Sequence, residues 1–299
     1  MSGPSLAKLP KRDESIADGH ASRSLSLVSG EKRQERVPKH AARYAFRSWS
    51  QILTRLRAAD HLALFLDFDG TLVGFQNDPE DVRVPAEVKQ ILVRLAQHPQ
   101  LSVALVSGRS VASLRRLLDV PGVSYFGLQG TEREGKPPTI GSSARREISR
   151  ARRAVRQKLG KLPGIWIEDK KLTFAVHHRR ASAPTIRAAS AVLTAILARA
   201  GTALHVLHGN RVWEVLPAEI LGKSAAPRAL LPKLPAKTAA VYIGDDGTDE
   251  VAFAAIPSQI TIRVGEKHRT RASFYLKDPA DVFKFLCKLQ DLVSSRAVD

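Results

Sequence analysis

The sequence predicts an open α/β fold: a doubly wound parallel sheet, interrupted by a smaller α+β domain built on antiparallel strands. Three observations carry this. Short apolar runs alternate with amphipathic helical patterns early and late in the chain, the signature of parallel strands joined by crossover helices. Between those two stretches the order changes to helix, strand, strand, helix, strand, strand. And two of the apolar runs stop abruptly at carboxylates, Asp67-Phe68-Asp69 and Asp245-Asp246, where an open α/β sheet keeps its chemistry.

Residues 1–40 mix Ser, Lys, Arg and Glu with little apolar periodicity, and are expected to be a disordered basic arm. Over 41–60, Tyr44, Phe46, Trp49, Ile52, Leu53 and Leu56 recur at helical spacing among arginines, which predicts an amphipathic helix docked on the neighbouring domain rather than on a membrane. The run at 62–66 is apolar throughout, as in a strand buried on both faces. Pro85 starts a helix to about 97, 101–106 is a second strand, a helix follows to about 118, and 124–128 is a third short strand. The first part of the core is therefore 61–131.

The inserted domain is expected over 132–220. A basic helix covers 143–159, strands at 164–168 and 171–179 are joined by Asp169-Lys170, and a helix covers 183–200. Strands at 203–207 and 211–216 are linked by His208-Gly209-Asn210, a hairpin signal. The core resumes over 221–299. Gly222-Lys223 begins a helix, 239–243 is a strand, another helix starts near Glu250, 260–264 is a strand, and a helix from Pro279 closes the fold.

Composition narrows the function. The chain has 299 residues, a hydrophobic fraction of 43% and a net charge of +18, so it can build two cores and present a basic surface. Recognisable nucleic-acid motifs are missing and the basic clusters hold few aromatics, so nucleic acid is not an expected partner. No apolar run reaches the length of a membrane span, and the N-terminus has no apolar signal core. One cysteine, Cys287, excludes an intrachain disulfide and fits a reducing compartment. A cytoplasmic monomer acting on a small molecule is the expectation.

The chemistry is read from the strand ends. Asp67 and Asp69 would repel each other, and a divalent cation relieves that; Mg²⁺ prefers carboxylates together with water and a substrate phosphate. Gly70 permits a tight turn, and Thr71 offers a hydroxyl and an N–H to an anion. Ser107-Gly108-Arg109, between strand and helix, supplies a hydroxyl, N–H groups and a cation suited to a phosphate. The acidic cluster 245–250 delivers a second set of carboxylates to the same edge.

These motifs, in order, resemble those of the haloacid-dehalogenase-like (HAD-like) phosphatases: Asp67-Phe68-Asp69-Gly70-Thr71, Ser107-Gly108-Arg109, Gly222-Lys223 and Gly244-Asp245-Asp246-Gly247-Thr248-Asp249-Glu250. More narrowly, Glu168-Asp169-Lys170, His177-His178-Arg179 and Val212-Trp213-Glu214-Val215-Leu216-Pro217 are similar to the trehalose-6-phosphate phosphatase family. One departure is visible: Gln129-Gly130-Thr131-Glu132 stands where that family commonly has His-Gly-x-Glu.

The resemblance implies Asp67 as nucleophile, forming an aspartyl-phosphate, and Asp69 as general acid and then base. It implies Mg²⁺ held by the Asp67 carboxylate, the Asp69 carbonyl and the Asp245 carboxylate, with Asp246 assisting from behind. Gly70, Thr71, Ser107, Gly108, Arg109 and Lys223 would bind phosphate. The inserted domain would act as a cap, contacting sugar through Lys170, His178, Arg179, Asn210, Arg211 and Glu214. The same chemistry on sucrose phosphate or a mannosyl-phosphoglycerate, a phosphomutase, and a binding protein with a degenerate site are the alternatives.

Overall fold

The computed structural model describes residues 40–76, 82–134, 136, 140–265 and 269–296. The chain runs through β1 (His40–Ala41), β2 (Arg43–Tyr44), α1 (Trp49–Arg57), β3 (His61–Leu66), α2 (Ala86–Gln97), β4 (Leu101–Val106), α3 (Val111–Leu117), β5 (Ser124–Gly127) and β6 (Glu132–Arg133). It continues through α4 (Ser142–Leu159), β7 (Trp166–Asp169), β8 (Phe174–His177), α5 (Ala183–Ala200), β9 (Leu204–Gly209) and β10 (Val212–Pro217). It returns through α6 (Ala225–Leu230), β11 (Thr238–Gly244), α7 (Glu250–Ala255), β12 (Ile260–Val264), β13 (Arg269–Thr270), β14 (Phe274–Leu276) and α8 (Pro279–Arg296).

The eight-stranded core sheet has the order β2-β14-β12-β11-β3-β4-β5-β6, and only β6 runs antiparallel to its neighbour. Pleat alternation explains its two-sided burial. Leu62, Leu64, Leu66, Val241 and Ile243 pack with apolar residues of α1, α2, α3 and α8. Ala63, Phe65, Ala104, Ala240 and Tyr242 face the other way, against Ala226 of α6 and Ala252 and Phe253 of α7. The inserted sheet, β7-β8-β10-β9, is wholly antiparallel, and its Phe174, Val176, Trp213 and Val215 pack on α4 and α5. By length and composition α5 is apolar enough to cross a membrane, yet Ala189, Leu193, Ile196 and Leu197 are buried against this sheet.

Three expectations are corrected, and one strand was not foreseen. The region 41–60 is not one helix: Arg43–Tyr44 pairs in parallel with β14, and the helix begins at Trp49. Edge pairing outweighs helical periodicity there, helped by Tyr44 Oη donating to Asp281 Oδ2 at 2.8 Å. The helix does dock on the core, with Ile52 and Leu56 fully buried and Trp49 edge-on to Phe285. The core sheet extends past 131, because Glu132–Arg133 pairs with β5. The last hairpin turns at Asn210 and Arg211, since Gly209 lies in β9 opposite Val212 and Arg211 takes the left-handed conformation at φ 63°. Finally, β14 has three residues, too few to show a period. The expected arm, 1–40, lies outside the described residues except for His40, which pairs with Thr270.

Candidate active site

Register brings the acidic motifs together. β3 and β11 are adjacent, with Leu66 opposite Ile243, so Asp67 and Gly244-Asp245 leave the sheet side by side; Asp67 N–H donates to Ile243 O at 2.9 Å. β4 lies on the other side of β3, with Leu66 opposite Leu105, which places Ser107 in the same layer. Gly70 then turns the chain at φ +82°, and a Cβ there would lie 2.5 Å from Asp245 Oδ2, so only glycine lets the two loops meet.

At the centre is Lys223, itself 3% exposed, with Nζ 2.9 Å from both Asp67 Oδ1 and Asp249 Oδ1. Burial alone would lower the lysine, but Asp249 and Asp67 outweigh it and hold it well above its ordinary range. Burial raises Asp67, opposed by Lys223 and reinforced by Asp249, Asp245 and Asp246. Asp245 is pushed up to about 7 by burial and by Asp246 and Asp249. Tyr242 Oη donates to Asp249 Oδ1 at 3.2 Å. Oxygens of Asp67, Asp245 and Asp249 all lie within 4.8 Å of one another.

Other predicted residues are engaged as follows. Asp69 accepts a forked pair from Arg109, Nε to Oδ2 at 2.7 Å and Nη2 to Oδ1 at 2.8 Å. Ser107 Oγ accepts from Arg109 N–H at 3.2 Å, which leaves its own proton to donate. Thr71 Oγ1 turns to Asp245 Oδ1 at 3.4 Å. Asp246 is bound into its loop: Oδ1 accepts from Thr248 N–H and Oγ1 at 2.6 Å each, and Oδ2 from Asn210 N–H at 3.1 Å.

The inserted sheet presents one face to this edge. Pairing puts Glu168, Ala175 and Glu214 in one row across it, and Trp166, His177 and Val212 in the next. Lys170, from the turn between β7 and β8, reaches Glu214 Oε1 at 2.7 Å, Gly108 O at 3.3 Å and Glu168 Oε2 at 3.6 Å. Burial would lower Lys170, but Glu214 and Glu168 more than offset it. Glu168 also contacts His177 Nε2 at 2.9 Å; burial would raise this acid, and His177 and Lys170 hold it below its ordinary value. Of the two histidines, His177 shares the face of Glu214, whereas His178 lies tilted against Trp213 at 4.3 Å and is held below its ordinary value by burial and by Arg211. The guanidinium of Arg179 lies 5.5 Å over Phe75 of the core loop. Arg211 accepts at its carbonyl from His178 N–H.

Sequence reasoning missed three participants. Asp249 belonged to the acidic cluster expected at a cation site but was not named as a site residue; it turns to Lys223, and its pairing with a lysine 26 positions away has no local signal. Tyr242 was passed over inside the strand at 239–243. Gln129, noted only as a departure, is 5% exposed and its Nε2 donates to Glu214 Oε1 at 3.4 Å.

Comparison with known proteins gives these motifs a family. A family model described as "Trehalose-phosphatase" matches residues 65–280. A trehalose-phosphate phosphatase of Mycobacterium marinum is 33% identical over 247 residues, covering 78% of this chain and 62% of that protein. One of Mycobacterium tuberculosis is 31% identical over 286 residues, covering 89% and 68%. The chain thus spans roughly two thirds or less of the length of these relatives. Among solved structures, a trehalose-6-phosphate phosphatase related protein is 26% identical with TM-score 0.61, covering 78% of this chain and 99% of that one. The C-terminal domain of a Candida albicans trehalose-6-phosphate phosphatase, at 21% identity, shares the fold with TM-score 0.70 over 85% of this chain and 99% of that one. On the motifs, the fold and the extent of the family match together, the chain belongs to the trehalose-phosphatase family.

Proposed function

We propose that this protein hydrolyses trehalose 6-phosphate to trehalose and inorganic phosphate, with the phosphoryl group carried transiently on Asp67. The observation that carries this reading is Asp67 itself: a carboxylate 4% exposed at the carboxyl edge of the sheet and held by Lys223. A buried anion aimed by a lysine is a positioned nucleophile. Its oxygen attacks phosphorus, the bond from phosphorus to the sugar oxygen breaks, and Asp69 gives that oxygen its proton. Asp69 then takes a proton from the water that attacks the acyl phosphate, which releases phosphate and restores Asp67. Ser107 and Lys223 meet the phosphoryl oxygens, where charge accumulates in the transition state. Arg109 grips Asp69 with both ends of its fork. A phosphate arriving beside Ser107 competes for that guanidinium and releases Asp69 to carry a proton.

Several buried carboxylates facing one lysine make an excess of negative charge that fits a divalent cation. Asp67, Asp245 and the carbonyl of Asp69 would hold Mg²⁺, with Asp249 and Asp246 next to them. When bound, it screens the approach of an anionic phosphate to an anionic carboxylate. The segment between the two parts of the core acts as a cap that excludes water and selects the sugar. The half-buried Cys287 of α8 fits a reducing compartment such as the cytoplasm.

The test is phosphate release from trehalose 6-phosphate beside sucrose 6-phosphate, mannosyl-3-phosphoglycerate and glucose 6-phosphate, with Mg²⁺ and with a chelator. The reading expects trehalose 6-phosphate to be turned over with the highest kcat/KM and chelation to stop it. A higher kcat/KM on another sugar phosphate would move the substrate assignment, and full activity in chelator would remove the metal.

A further inference from the structure

We propose that Gln129 is a specificity-determining residue, through which the core itself recognises the sugar. This rests on the phosphatase reading above. The residue is held with unusual firmness. Leu128, Gln129 and Gly130 take φ of 48°, 60° and 84° in succession, a conformation that side chains other than glycine rarely adopt. The turn is stitched to the Ser107–Arg109 loop, with Gln129 N–H donating to Ser107 O at 2.9 Å and Leu128 N–H to Arg109 O at 2.7 Å. A Cβ on Gly108 would lie 2.9 Å from Gln129 Nε2, so the glycine of that loop makes room for the amide.

The side chain is nevertheless poorly satisfied. Its Nε2 makes one long bond, 3.4 Å to Glu214 Oε1, and its Oε1 is buried without a partner among the described residues. Flipping the amide would set oxygen against the Glu214 carboxylate, so the donor must face the acid. Glu214 Oε2 is likewise buried and unpartnered. Two orphaned acceptors, on side chains that touch through the Gln129–Glu214 bond between the loop assigned to phosphate and the cap, ask for donors. Sugar hydroxyls are donors of the right kind, and a sugar esterified to a phosphate at Ser107 must pass this point. Gln129 Oε1 therefore accepts from one hydroxyl, while Nε2 steadies Glu214 so that Oε2 accepts from another.

Gln129→Leu tests this, because it keeps the size and removes both polar ends. The ratio of kcat/KM for trehalose 6-phosphate to that for p-nitrophenyl phosphate should fall at least tenfold, through KM rather than kcat. The melting temperature should hold or rise, because an unsatisfied buried acceptor is gone. An unchanged ratio, or parallel losses on both substrates with a lower melting temperature, would overturn the proposal. If the leucine variant does not fold, Gln129→Met is read the same way; failure of both to fold would make the amide structural and overturn it too. A wild type that prefers trehalose 6-phosphate while the variant keeps that preference sinks this inference alone. A wild type with no preference for any sugar phosphate sinks the functional reading with it.

Discussion

The core edge and the cap face handle buried polarity in opposite ways. At the core edge most charges are paired: Lys223 lies between Asp67 and Asp249, Tyr242 and the backbone of Asp246 complete Asp249, and Arg109 closes on Asp69, while Asp245 adds the excess negative charge that suits a cation. On the cap face, Glu214 Oε2 is buried without a partner among the described residues, and Gln129 Oε1 is left so on the facing core loop. The first arrangement holds its charged groups in place before any sugar arrives. The second is incomplete until something with hydroxyl groups arrives. A site that leaves polar groups unpaired without its proper ligand discriminates strongly among ligands.

The largest expected effect tests the core. Asp67→Asn keeps the shape and removes the nucleophile, so phosphate release from any substrate should fall more than a hundredfold while the fold survives; turnover above that level would take Asp67 out of the role. Lys223→Met comes next. It strips the partner from two buried carboxylates, and breaking such a pair costs about 3–5 kcal/mol. Unfolding in urea should show that loss, together with loss of turnover on both sugar and aryl phosphates.

Glu214→Gln is the counterpart on the cap. Losing one charged hydrogen bond to the sugar should lower kcat/KM for trehalose 6-phosphate by roughly 1.5–3 kcal/mol. p-Nitrophenyl phosphate should suffer less, and equal losses would mean that Glu214 supports folding or closure instead.

The smallest effect lies outside both regions and calibrates them. Tyr44 is pushed up to about 12 by burial and by the Asp281 carboxylate to which it donates. Burial would raise Asp281, but Tyr44, Lys277 N–H and Lys284 hold it below its ordinary range. A phenol with a raised pKa stabilises fully below its unfolded value, near 10, and loses that contribution as pH climbs toward its folded value. An acid with a depressed pKa loses its contribution only as pH falls through the lowered value. Tyr44→Phe should therefore cost on the order of 1 kcal/mol from about pH 4 to 10, fading toward pH 12, with activity untouched. A cost that keeps growing above pH 10 would contradict the assignment of that hydrogen bond.

The same contrast explains what could be read from the sequence. The core strands were legible because burial on both faces leaves continuous apolar runs, as in Leu62 to Leu66, and the carboxylates sit where those runs stop. The partnership of Asp249 with Lys223 was not legible, since it depends on how a turn after β10 meets a turn after β11. β2 was masked by the helical spacing of Tyr44, Phe46 and Trp49, and only the edge offered by β14 decides the matter. Among the cap residues, pleat parity could say that His177 and His178 point apart but not which faces Glu214. Gln129 showed itself only as an odd residue at a known place; its left-handed backbone and orphaned oxygen appear only when the two loops are folded together.

The central claim is that the core edge completes the phosphoryl transfer while the cap, with Gln129 of the facing core loop, chooses the sugar. Asp69→Asn tests it most directly, because that variant should take up phosphate and fail to release it. After acid quench at saturating substrate, peptide mapping should find phosphate on Asp67 from both p-nitrophenyl phosphate and trehalose 6-phosphate, accumulating more slowly from the sugar phosphate, whose leaving oxygen lacks the Asp69 proton. Label on another residue, or label from the sugar phosphate alone, would contradict the account.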